Sequence, residues 1–172
     1  MIGLKRIKPY IALIRLDKPI GILLLLWPTL WALWIAGHGQ PSLKIVVIFI
    51  LGTFFMRSAG CVVNDFADKK YDKDVTRTQN RPLASGTLKS RPAVWVFLTL
   101  ISCSFLLVSQ TNKLTLILAV IGVFLASTYP YAKRFTYLPQ VHLGIAFGWA
   151  IPMSFAAQIS ALPRECWTIF IV

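Results

Sequence analysis

Asp65, Asp68, Asp72 and Asp74 stand within ten positions of one another in GCVVNDFADKKYDKDV, and they are four of only six acidic residues in the chain. Carboxylates three and four residues apart share one face of a helix. At about 100° per residue, Asp65, Asp68 and Asp72 fall inside a sector of about 60°, while Asp74 falls about 180° from Asp65. Like charges that converge repel each other and call for a positive partner. Lys69, Lys70 and Lys73 lie in the same stretch, which on one reading makes it a solvated zwitterionic turn. The other reading is a hard divalent cation. Mg2+ is commonly held by one or two carboxylates together with the phosphate oxygens of a substrate. Asn64 adds a side-chain oxygen next to the same sector. The candidate metal set is therefore Asn64, Asp65, Asp68 and Asp72, with the three aspartates as the candidate catalytic residues.

Arg57 bears on the choice between these readings. It precedes Asn64 by seven residues and Asp68 by eleven, which puts the three on nearly one helical stripe. It sits about 9 Å along the helix from Val63 and interrupts an otherwise uncharged run. An ionisable residue in such a run marks a functional site by default, against the plainer alternative of snorkelling to the interface. Arg57 with the carboxylates describes a polar cavity suited to a diphosphate and its metal.

These residues need elements to hold them, and composition says which. The chain has 172 residues, 56% hydrophobic and 14% charged, with a mean hydropathy of +0.67. Soluble domains run nearer 45–50% apolar and about 25% charged. No charged residue occurs between Lys18 and Lys44, between Arg91 and Lys113, between Lys113 and Lys133, or between Arg134 and Arg164. About 20 residues cross a bilayer as a helix. The pattern predicts an all-α, polytopic transmembrane bundle with spans near 20–37, 44–63, 92–110, 114–131 and 138–161, and a sixth apolar run from Cys166. An Asp at the centre of a span costs about 2.5–3.5 kcal/mol, so the acidic cluster belongs at the end of the second span or on a wet cavity.

Net charge is +12. With the spans so drawn, every Lys and Arg except Lys44, Lys113, Arg164 and the intramembrane Arg57 falls on the side of the N-terminus and the acidic loop. The positive-inside rule places that side in the cytoplasm. The cations sit on short loops rather than on one face, which argues against nucleic acid as a partner. The basic start is not read as a cleaved leader, because its apolar run is long and further spans follow. Cys61, Cys103 and Cys166 have no close pairing and read as ordinary membrane-helix residues. Trp27, Trp31 and Trp34 share a helix face and form either the wall of an apolar cavity or a lipid-facing aromatic stripe.

The stretch NDFADKKYD fits the N-D-x-x-D-x-x-x-D motif and resembles the UbiA superfamily of intramembrane aromatic prenyltransferases. LIRLDKPIGILLLLWPTLWALWIA, MRSAGCVVNDFADKKYDKDVTRTQNRPLASG and STYPYAKRFTYLPQVHLGIAFGWAIPMSFAA extend the resemblance over nearly the whole chain, toward the 4-hydroxybenzoate polyprenyltransferase branch. The resemblance implies the first part of a nine-helix fold in a bacterial inner membrane. It also implies Mg2+ as cofactor and polyprenyl diphosphate and 4-hydroxybenzoate as substrates. The reaction would transfer the prenyl group to the ring position ortho to the hydroxyl, in ubiquinone biosynthesis. By motif position, Tyr129 and Lys133 match a Y-x-x-x-K pair that contacts diphosphate. Arg57 and Arg134 are further anion contacts, for the diphosphate or the benzoate carboxylate, with Arg15 as a weaker one. Arg81 is either an anion contact or a cytoplasmic anchor.

One departure is large. The family carries a second Asp-rich motif further along, whereas here only Glu165 follows Asp74 among the acidic residues. Residues 1–172 thus read as one transmembrane prenyltransferase-like domain, incomplete at its C-terminus and not expected to be active alone. Two other readings stay open: a branch with a homogentisate, naphthoate or haem acceptor, and a non-catalytic truncated membrane protein.

Overall fold

In hydrocarbon a backbone has only itself to bond with, and helices satisfy that condition within one segment. The computed structural model of the chain describes the backbone of residues 2–135 and 137–172, and the side chains of 6–129, 137–138 and 140–172. Among the described residues the elements are helical, with no strand. They are α1 (Ile2–Leu13), α2 (Ile20–Ala36), α3 (Leu43–Asp68), α4 (Ser90–Val108), α5 (Lys113–Phe135), α6 (Pro139–Gly148), α7 (Ala150–Ile159) and α8 (Arg164–Ile171). By length and composition α3 and α4 suffice to cross a membrane, and Ile20–Ala36 and Lys113–Tyr129 are shorter apolar segments.

Three differences from the sequence reading matter. The basic N-terminal segment, for which the sequence reading drew no element, is a helix whose last residue, Leu13, is fully buried. The second span does not stop near residue 63: α3 runs on to Asp68 and carries Asn64, Asp65 and Asp68 on its last turns. The fifth span, read as one piece over 138–161, breaks at Trp149 into α6 and α7. Pro152 explains the break. It has no N–H for the Gly148 carbonyl, and its ring crowds that carbonyl. The Trp149 indole Nε1 then donates to the Leu118 carbonyl of α5 at 2.8 Å, fixing the broken segment against a neighbour.

Helix α3 packs along α4, and α2 along α7. Small residues line the α2–α7 seam, among them Ala32, Ala36, Ser154 and Ala157, all buried. Small side chains let membrane helices approach closely, where dispersion contacts and short polar bonds replace the hydrophobic effect. Ser154 Oγ shows this, donating to the Ala150 carbonyl at 2.8 Å and reaching the Thr29 carbonyl of α2 at 3.4 Å. A separate apolar cluster joins Leu13 of α1, Ala59 and Val62 of α3, Leu83 and Leu88 of the α3–α4 connection, and Ala93 and Leu100 of α4. That cluster anchors the long connection directly beside the acidic end of α3.

Candidate functional site

The connection after α3 is folded by its own backbone. Tyr71 N–H bonds to the Asp68 carbonyl at 2.9 Å, and a 3-10 turn covers Asp72–Asp74. Thr78 Oγ1 donates to the Asp72 carbonyl at 3.2 Å. Further turns follow, with Arg81 N–H on the Thr78 carbonyl and Leu88 N–H on the Pro82 carbonyl. Leu83, Ala84 and Leu88 are buried and hold this segment against the helices. Asp72 therefore reaches Asp65 because the chain doubles back after Asp68, not because one helix continues through both.

Arg81 joins the two carboxylates, and Arg15 adds a second cation to the first. Asp65, its side chain 1% exposed, takes Arg15 Nη2 at 3.0 Å and Arg81 Nη1 at 3.2 Å on the same oxygen, Oδ1. The same Arg81 Nη1 lies 2.8 Å from Oδ2 of Asp72. Arg15 reaches in from the turn between α1 and α2, where its own φ is 59°. A non-glycine residue in that region carries strain of order 1 kcal/mol. The turn is held by Ser58 Oγ of α3, which donates to the Ile14 carbonyl at 3.3 Å. Asp74 is exposed, in the 3-10 turn beyond the end of α3. Asp68 ends α3 one turn beyond Asp65 and, like Asn64, has interactions of its own.

The expected convergence of Asp65, Asp68 and Asp72 on one ion is not formed. Among the described residues no three His, Cys, Asp or Glu side chains are grouped to hold a metal. The reason is that α3 ends at Asp68 and Arg81 lies between Asp65 and Asp72. One feature still fits a cation. Oδ2 of Asp65 is buried with no hydrogen-bond partner, and an orphaned carboxylate oxygen in a buried setting is costly unless something positive meets it.

Arg57 makes no ion pair with these carboxylates among the described residues. Its guanidinium stacks over the Phe147 ring of α6, 5.6 Å from the centroid, and lies against Gly21 of α2. Tyr129 stacks on His142 with centroids 6.2 Å apart, and His142 Nε2 is 3.2 Å from Thr128 Oγ1. The side chains of Lys133 and Arg134 lie outside the described residues. Trp27, Trp31 and Trp34 are 55%, 60% and 56% exposed and form an outward stripe rather than a wall at this site. Sequence reasoning left Arg81 undecided and ranked Arg15 low, yet both touch the central aspartate. Nothing local marks Arg81, because its position depends on the folding of the whole 69–89 connection.

The apolar helical fold carries a buried, arginine-held carboxylate at the end of α3, and comparison with known proteins narrows its class. The model of the UbiA prenyltransferase family matches residues 25–172, and the chain belongs to that family. A 4-hydroxybenzoate octaprenyltransferase from Coxiella burnetii (strain Dugway 5J108-111) is 56% identical over 171 residues, covering 99% of this chain and 60% of that protein. One from Aliivibrio salmonicida (strain LFI1238) is 54% identical, covering 98% and 59%. The chain thus spans about 60% of the length of these relatives. The structure of a UbiA homologue from Archaeoglobus fulgidus, bound to DMAPP and Mg2+, superposes with a TM-score of 0.79 at 17% identity, covering 94% of this chain and 58% of that one. At that identity the likeness concerns the fold.

Proposed function

We propose that this chain, as one transmembrane domain, binds a polyprenyl diphosphate together with Mg2+ and serves the transfer of the prenyl group to the 3-position of 4-hydroxybenzoate in ubiquinone biosynthesis. The observation that carries the reading is Asp65: buried, held on Oδ1 by Arg15 and Arg81, and with Oδ2 left without a partner. On this reading Oδ2 is the oxygen offered to the ion, with Asn64, Asp68 and Asp72 completing the set once the diphosphate supplies its own oxygens. Mg2+ would act there as a Lewis acid on the departing diphosphate.

The chain's own residues do the rest. Arg15 and Arg81 fix the orientation of Asp65, as partners of a metal-binding carboxylate do. Tyr129, Lys133 and Arg134 are the expected diphosphate contacts. Cations aimed at the leaving group stabilise charge that grows as the allylic C–O bond breaks and its electron pair leaves with the diphosphate. The ring carbon then bonds to the prenyl C1 and loses its proton. Arg57, set apart from the carboxylates, is assigned to the benzoate carboxylate. The site lies at the cytoplasmic face of a bacterial inner membrane, with the N-terminus on the same side, as the distribution of basic residues supports.

The test is binding in lipid nanodiscs. Geranyl diphosphate and Mg2+ added together should raise the thermal midpoint by several degrees, and Asp68→Ala should abolish the rise. No rise in the unaltered chain would sink the reading. Gly21→Ala probes Arg57 without touching it. A β-carbon there would lie 2.9 Å from Arg57 Nη2, and the flexible guanidinium would give way. Thermal stability should change by less than about 1 kcal/mol, while 4-hydroxybenzoate affinity, read by calorimetry, should fall about 3–10-fold as the cation is displaced.

A further inference from the structure

The arginine bridge bears on how the ion enters, provided that the site is one for metal and diphosphate as proposed above. Two guanidiniums, Arg15 and Arg81, face two carboxylates, Asp65 and Asp72, within 3.2 Å. The formal charge of that cluster is zero. Lys70, Lys73, Asp74 and Arg77 are exposed in the same connection, and Lys69 Nζ donates to Ser90 Oγ at 3.1 Å. Asp68, one turn along, is engaged in interactions of its own. A dication approaching Oδ2 of Asp65 would meet the attraction of the carboxylates and the repulsion of the guanidiniums in nearly equal measure. A neutral cluster gives free Mg2+ little reason to bind, even with an orphaned oxygen waiting. A diphosphate changes the balance, because its negative oxygens answer both the ion and the two guanidiniums at once.

We infer that Arg81, by neutralising Asp65 and Asp72, makes divalent-ion binding conditional on diphosphate. The site takes the two ligands together and rejects the ion alone. Arg81 is thereby a positioning residue that also acts through its charge. It sets the coupling between the ligands and keeps the carboxylates from holding a stray ion. A bridge that merely braced the fold would behave with the opposite sign. A brace, once removed, weakens every ligand. A neutralising cation, once removed, leaves the cluster at a formal charge of −1 and strengthens the ion on its own.

The experiment uses the chain in nanodiscs with Mn2+ as a paramagnetic probe and geranyl diphosphate as the anion, corrected for the complex the two form in solution. In the unaltered chain, geranyl diphosphate should tighten Mn2+ binding about 30-fold or more, within the usual range of coupling between sites, and Mn2+ should tighten geranyl diphosphate by the same factor. Arg81→Gln should bind Mn2+ alone about 10-fold more tightly than the unaltered chain, with the coupling reduced to about 5-fold or less. Arg81→Lys, which keeps the charge, should retain the coupling. Arg15→Gln makes the same change of charge from the α1–α2 turn and should shift Mn2+ affinity in the same direction if Arg81→Gln does not fold. Equal Mn2+ affinity with and without geranyl diphosphate in the unaltered chain would overturn the inference while leaving the metal–diphosphate site standing. So would a loss of Mn2+ affinity in a folded Arg81→Gln. No binding of either probe in any combination would overturn both.

Discussion

Asp65→Asn should abolish the Mg2+ dependence of diphosphate binding while sparing the fold. The substitution keeps size and one oxygen, so Arg15 retains an acceptor, but it removes the charge from a side chain only 1% exposed. Losing a residue that merely supports a metal ligand typically costs 10–100-fold. Losing the offered oxygen itself should cost about 100-fold or more in the Mg2+-assisted affinity for geranyl diphosphate. Diphosphate binding without metal should survive or rise slightly, because Arg15 and Arg81 are left facing Asp72 alone. Removing one member of a buried ion pair costs about 3–5 kcal/mol when both partners are buried. Here the arginine side chains are 24% and 19% exposed, so water answers part of their charge and the loss should be about 1–3 kcal/mol. Calorimetry with and without Mg2+, beside thermal unfolding, separates the two effects. Full Mg2+ dependence in a folded Asp65→Asn chain would remove Asp65 from the metal set.

The membrane-helix class and the approximate spans were legible because hydrocarbon imposes a coarse rule: long uncharged runs become helices. The course of the chain through NDFAD was legible as well, since a helix extended past Val63 does carry Asn64, Asp65 and Asp68. The phase argument failed at Asp72, where the helix ends and a 3-10 turn takes over. Periodicity holds only while one helix lasts, and a helix end is set by how the next segment packs. Leu83 and Leu88 settle that by burying themselves beside α3 and α4, and they are distant from Asp72 in sequence. Arg81 was hard to place for the same reason. The break at Trp149 was within reach, because Pro152 removes a donor wherever it stands in a helix. The hydropathy pattern outweighed it, since proline is tolerated in membrane helices more often than in soluble ones.

These observations divide the site in two along α3. Toward the C-terminal end of the helix, arginines and aspartates cancel one another. Two turns earlier, Arg57 has an aromatic ring and a glycine for neighbours. The first region has no net formal charge, and the second is positive. On the proposed reading the first takes the donor diphosphate with its ion and the second the acceptor carboxylate, and the axial separation of Arg57 and Asp65, about 12 Å at eight residues, would keep the two anions from competing.

Arg57→Leu tests that division, and its expected signature has two opposite signs. The guanidinium is half-buried among apolar elements, over Phe147, and among the described residues no carboxylate pairs with it. A cation so placed destabilises the fold, partly relieved by the aromatic face at about 0.5–2 kcal/mol. Replacing it with leucine should leave thermal stability unchanged or raise it, as apolar replacement of buried charge often does. Ligand binding should move the other way. A charge-assisted bond to a carboxylate contributes about 1.5–3 kcal/mol, so 4-hydroxybenzoate affinity should fall about 10–150-fold. Geranyl diphosphate affinity should hold within about 2-fold, since Arg57 belongs to the other region. Arg57→Lys should fall between, because it keeps the charge and loses the planar fork that pairs with a carboxylate. Titrations of both ligands against the three chains decide the matter. A drop in diphosphate affinity with 4-hydroxybenzoate unaffected would move Arg57 to the donor side and leave the acceptor carboxylate to another cation.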